Sequence, residues 1–195
     1  MKVQQIFAAI FVLGNLSGVF PIVGQAGVYR PHQYEQWLLS ITQNPNSHIL
    51  SASLFWFGAA AGVMLGLWFC KTGRWWIGSL LGLASLWNWL WTPVPLLLAL
   101  GLGPDGGQLA LGMSLLADAI FNGLLGTAML LLGWELKETF PKMGYAAVGI
   151  GSGTIFVMGQ FYFEACADLL GIFGPLWLIW WGVWSWYSAK EPEYF

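Results

Sequence analysis

Apolar runs about as long as a bilayer is thick recur along this chain, and they constrain its fold more than any motif does. About 18 or more predominantly apolar residues in a row are the signature of a membrane-spanning helix, because in lipid every backbone donor and acceptor must be satisfied within the segment. Such runs cover about residues 4–27, 49–70, 75–98, 108–134, 144–164 and 171–187. No alternation of apolar and polar residues persists long enough for barrel strands. The expected fold is all-α: a single domain over residues 1–195, built as a bundle of about six transmembrane helices.

Charge supports this. Only 8% of the 195 residues are charged, against about 25% in an average soluble domain. The 14 Trp and 13 Phe suit a lipid boundary, where aromatic rings collect. A formal net charge of -2 leaves no basic footprint for nucleic acid.

Connections are expected at residues 71–74, at 101–108 with Pro104-Asp105-Gly106 as a turn, and at 135–144. Residues 28–48 form the longest, an outer loop whose centre, YEQWLLSI, suits a short interfacial helix. Six spans with the N-terminus inside put Lys2, Lys71, Arg74, Lys137, Lys142 and Lys190 on the cytoplasmic side and Arg30 alone outside. That split obeys the positive-inside rule, so both termini are expected in the cytoplasm. Lys2, the first apolar run and Gly24-Gln25-Ala26 also resemble a secretory signal. Removing that segment would leave five spans, so it is expected to be retained. Cys70 and Cys166 then fall at opposite faces, too far apart for a disulfide.

Small residues at four-residue spacing let helix backbones approach closely in lipid. Gly14 and Gly18, Gly58, Gly62 and Gly66, Gly78 and Gly82, and Gly149 and Gly153 have this spacing. Packing within the chain is one reading. A homodimer through Gly58, Gly62 and Gly66 is the other. Pro21, Pro93 and Pro95 are expected to end or kink their helices.

Polar residues inside the runs are the candidate site. Asn15, Asn88, Asp118 and Asn122 come from three spans and share roughly one level near mid-membrane. Gln160 and Glu164 follow on the fifth span, one turn apart and nearer the outer interface. A lone carboxylate at a helix centre costs about 2.5–3.5 kcal/mol to insert, so Asp118 should face the bundle and be protonated or paired. Three readings stand: a structural clasp of hydrogen bonds, a ligand or proton site, and a contact to another membrane subunit. Trp87, Trp89 and Trp91 surround Asn88 and suit either lipid packing or stacking on a planar ligand. Trp177, Trp180, Trp181, Trp184 and Trp186 crowd the last span, its end reading as an aromatic belt level with Trp75 and Trp76. His32 and His48 fall in the outer loop and outside every span, which disfavours a buried His-ligated haem; with Glu35 they could in principle hold a metal, but such scattered ligands are a weak signal and no metal site is expected. No Walker loop, HExxH, GxSxG or Ser-His-Asp set is present.

The stretch FNGLLGTAMLLLGWELKETFPKMGYAAVGIGSG, followed by GPLWLIWWGVW, resembles the DUF4386-type small six-helix bacterial membrane proteins. The parallels are Gly123, Gly126, Pro141, Gly144, Gly149, Trp177 and Gly182. The resemblance implies a six-helix architecture and adds no catalytic residue; the cofactor stays open, and the location expected is a bacterial inner (plasma) or other energy-transducing membrane. The function expected is non-enzymatic: an accessory or scaffolding subunit, or a binder of a hydrophobic small molecule such as a lipid or quinone. A small proton-coupled transporter using Asp118 is the alternative.

Overall fold

The described residues of the computed structural model, 3–19, 34–161 and 163–187, form helices and contain no strand. Lys2, Pro21, Arg30, His32 and Lys190 lie outside them, so the expectations at those positions do too. The helices are α1 (Val3–Val19), α2 (Tyr34–Gln43), α3 (Pro45–Lys71), α4 (Trp75–Trp91), α5 (Pro93–Thr139), α6 (Pro141–Phe156) and α7 (Glu164–Tyr187). A short 3-10 helix, Val157–Phe161, follows α6.

Several ends follow from local chemistry. Pro45, Pro93 and Pro141 open α3, α5 and α6, where a missing N–H costs nothing. Gly73 carries the left-handed turn after α3, with φ 87. Around it the Gly73 N–H donates to Cys70 O and the Arg74 N–H to Phe69 O, satisfying carbonyls left over at the helix end. The helix expected inside the long loop is present as α2. His48 belongs to α3, not to that loop.

Three expectations need correcting. No turn in the hydrogen-bonding pattern separates 98 from 108: α5 runs helically across Pro104, Asp105 and Gly106. It cannot be straight. About 63 Å of straight helix would separate Pro93 from Glu135. Yet Glu135 is bonded to Arg74 at 2.7 Å, and Arg74 lies only the length of α4, about 25 Å, from Pro93. The axis of α5 must therefore bend between Pro93 and Glu135. Second, the fifth span stops at Phe156 rather than 164, its last turns tightening to 3-10 geometry. Third, α7 begins at Glu164, ahead of the expected 171, and carries Pro175 within it.

Among the described residues, two stretches are long and apolar enough to cross a membrane: Pro45–Lys71 and Leu116–Thr139. The other expected spans fall short of that measure. α1, α4 and α6 have 17, 17 and 16 residues.

The helices pack in a ring. α1 lies against α3, α3 against α4, α4 against α5, α5 against α6 and α6 against α7, and α7 returns to α1. Phe11, Leu65, Phe69, Leu81, Leu125, Met129, Leu132 and Trp181 are fully buried where these elements meet. Glycines set the closest approaches. A Cβ on Gly66 would lie 2.7 Å from Gly82 Cα, and one on Gly14 would lie 2.6 Å from Gly58 Cα. Gly62 faces Phe11 and Ser85. Gly58, Gly62 and Gly66 are thus taken up by α1 and α4, and a homodimer through them would have to displace those helices. α5 and α6 use glycines spaced by two turns: Gly126 meets Gly151, and Gly133 meets Gly144.

Candidate functional site

The side-by-side contacts fix the heights of the candidate residues. Gly62 faces Ser85, and Trp56 stacks on Trp89. Gly58, between them on α3, is therefore level with Asn88, and it touches Asn15. Counting up from the Arg74–Glu135 pair, Asn88 on α4 and Asn122 on α5 are both about 20 Å away. Asn15, Asn88 and Asn122 thus occupy one level on three helices. Asp118 is one turn from Asn122 on α5.

The hydrogen bonds at this level run along helices. Asn15 Nδ2 donates to Phe11 O at 2.7 Å, and Asn122 Nδ2 donates to Asp118 O at 2.8 Å. Thr92 Oγ1 donates toward Asn88 O and Oδ1 at 2.5 and 3.0 Å, just where Pro93 interrupts the helical ladder. Each of these amide and hydroxyl bonds stays within its own helix. Asn15 and Asn122 are buried; Asn88 and Asp118 are half-buried.

Gln160 and Glu164 do not share a helix face. Gln160 lies in the 3-10 segment and Glu164 begins α7, and Phe163 before it is non-helical.

The tryptophans divide differently from the expectation. Trp177, Trp180, Trp181 and Trp184 are core residues; Trp177, Trp181 and Trp184 pack on Phe11 and Phe69, and Trp180 packs on Trp181 and Trp184. Trp180 Nε1 donates to Met143 O at 3.0 Å, tying α7 to α6. Only Trp186 of the α7 set is exposed, as are Trp75 and Trp76. Trp87, Trp89 and Trp91 are half-buried. Trp56 and Trp89 stack across the α3–α4 seam at 5.1 Å with planes 16° apart, while Trp87 pairs with Trp91 at 5.3 Å.

Five donors here are shielded from solvent without a hydrogen-bond partner: Ser85 Oγ and the indole N–H groups of Trp87, Trp89, Trp177 and Trp181. A buried donor without an acceptor costs about 1–3 kcal/mol. Trp181 lies in close packing and meets Phe11, Phe69, Trp180 and Trp184 at 68–88° between planes. Edge-on ring contacts of that kind recover part of such a cost. The Trp87 and Trp89 rings are partly accessible, and a molecule from outside can approach them.

Sequence reasoning missed Trp56, which only the antiparallel register of α3 and α4 brings to Trp89. It also missed a buried pair, Ser40 Oγ and His48 Nε2, 2.8 Å apart between α2 and α3. Asn44 and Pro45 turn the chain back so that residues eight apart meet. The signal lay in the Asn44-Pro45 turn beside the α2 pattern.

No family model matches the chain, and neither a curated protein nor a solved structure is found similar to it.

Proposed function

We propose that this chain is a polytopic membrane protein that binds a hydrophobic small molecule bearing an acceptor oxygen, such as a lipid ester or a quinone. The six passes are α1, α3, α4, the second half of α5, α6 with its 3-10 extension, and α7. Support comes from their outward faces, which are apolar: Leu13, Phe57, Leu67, Leu83, Phe156 and Ile179 are all more than half exposed. Contiguous apolar surface on this scale is unusual for a chain in water.

Depth then follows. A hydrocarbon core is about 30 Å thick. Measured from the Arg74–Glu135 end, its middle falls near Gly62 and Ser85. The asparagine level, at about 20 Å, lies in the outer half rather than at the centre.

The observation that carries the ligand reading is Trp89. Its indole N–H is buried without an acceptor, while its half-buried ring forms a flat ledge with Trp56 at the α3–α4 seam. That N–H points along the ring plane, so an apolar molecule entering at the edge of the stacked pair, in place of the atoms that now shield Nε1, would satisfy the donor with a carbonyl oxygen. Trp87 is on the opposite flank of α4 and presents a second, separate donor.

Native mass spectrometry on protein released from nanodiscs tests this. A retained small mass is expected, lost in Trp89→Phe and kept in Trp87→Phe. A bare protein, or a mass indifferent to Trp89→Phe, would sink the reading.

A further inference from the structure

We propose that the end of the bundle carrying Lys71, Arg74, Lys137 and Lys142 binds the anionic headgroup layer of a bilayer. This rests on the membrane-embedded reading above. The four residues sit at the end of α3, just before α4, in the last turns of α5 and in the first turn of α6. The Arg74–Glu135 contact puts these corners at one end of the ring. Glu135 and Glu138 are the acids there among the described residues, so four positive charges face two negative ones. The opposite end has the reverse sign. Glu35 is in α2, Glu164 opens α7 and Asp168 is exposed, and among the described residues that end has no Lys or Arg.

Aromatic rings mark the same basic end. Trp76 is 80% exposed and Trp134 65%. Rings so uncovered are out of place in water and suited to the headgroup level, where an apolar body and a polar N–H are both accommodated. Lys137 Nζ lies 3.0 Å from the centroid of the Trp134 ring. That contact sets charge and ring side by side at one height. Lys71 and Lys142 are exposed and open to a partner. Charge complementarity selects phosphodiester headgroups of net negative charge. Each basic residue near such a surface raises association about fivefold.

The test uses the full chain reconstituted in phosphatidylcholine bilayers, with tryptophan fluorescence as readout. Part of the lipid is replaced by acyl-brominated phosphatidylcholine or by acyl-brominated phosphatidylglycerol. The expected result is a preference for phosphatidylglycerol of about tenfold or more at low salt, falling as salt screens the charges. In the triple variant Lys71→Gln, Lys137→Gln, Lys142→Gln the preference should fall toward one, with quenching by brominated phosphatidylcholine unchanged. Equal binding of the two lipids, or a preference untouched by the triple variant, would overturn the headgroup proposal alone. Failure of both brominated lipids to quench would overturn the membrane reading beneath it.

Discussion

Asn122 shows what one residue in such a chain reveals and what it conceals. Its height is legible in the sequence, because rise per residue converts position into depth. Its partner is not. A helical amide can reach across to another helix or back to its own i−4 carbonyl, and only the packed rotamer decides. Here it turns back to Asp118 O. Asn122→Ala is therefore expected to cost about 1 kcal/mol or less in a reversible detergent unfolding experiment, near the average for polar side chains between membrane helices. A cost of several kcal/mol would mean the amide carries an interhelical bond after all. Trp181 gives the opposite case. It is fully buried among Phe11, Phe69, Trp180 and Trp184. Trp181→Ala should cost about 3–5 kcal/mol. Trp181→Phe removes the partnerless N–H along with some volume, so the same unfolding experiment should find it milder by half or more. Equal damage from the two would assign the N–H a role beyond packing.

At the scale of elements, glycine spacing was informative where it matched one helical turn and silent where it did not. The four-residue spacing of Gly58, Gly62 and Gly66 announced a packing face, and the structure puts α1 and α4 on it. Gly126 and Gly133 on α5, with Gly144 and Gly151 on α6, repeat at two turns and escaped that pattern, though they meet just as closely. Gly149 matched the pattern and meets nothing within 4 Å. Gly66→Leu is expected to destabilise by at least about 2–3 kcal/mol, since a side chain there strikes the Gly82 backbone, which cannot step aside. Gly149→Leu should be neutral or mildly stabilising. Thermal unfolding of the two variants side by side checks the contrast, and similar losses would refute the assigned faces. Helix ends were less legible than faces. Pro104-Asp105-Gly106 reads as a turn, yet helical bonding continues across it. The stop at Phe156 has no polar marker, because apolar residues continue through 157–159 on either geometry.

At the scale of the whole molecule, the ring places Trp76 and Lys142 at one end and Asp168 at the other. All three are exposed. Cys70, bonded weakly to Trp75 O, and Cys166, against Gly159, mark the same two ends as free thiols. This arrangement separates six passes from two. If only Pro45–Lys71 and Leu116–Thr139 crossed the bilayer, Trp76 would lie on one side, with Lys142 and Asp168 together on the other. With six passes, Trp76 and Lys142 share a side and Asp168 is opposite. In a background carrying Cys70→Ser and Cys166→Ser, the single substitutions Trp76→Cys, Lys142→Cys and Asp168→Cys can be probed with a membrane-impermeant maleimide on intact cells and inverted vesicles. Labelling of Trp76→Cys and Lys142→Cys only in inverted vesicles, and of Asp168→Cys only in intact cells, is the expected outcome. It would also set the basic end in the cytoplasm, as the positive-inside rule requires. Lys142→Cys and Asp168→Cys reacting from the same side would reduce the bundle to two crossings, and α4 with Trp89 would then lie outside the hydrocarbon while Trp56 on α3 stayed within it.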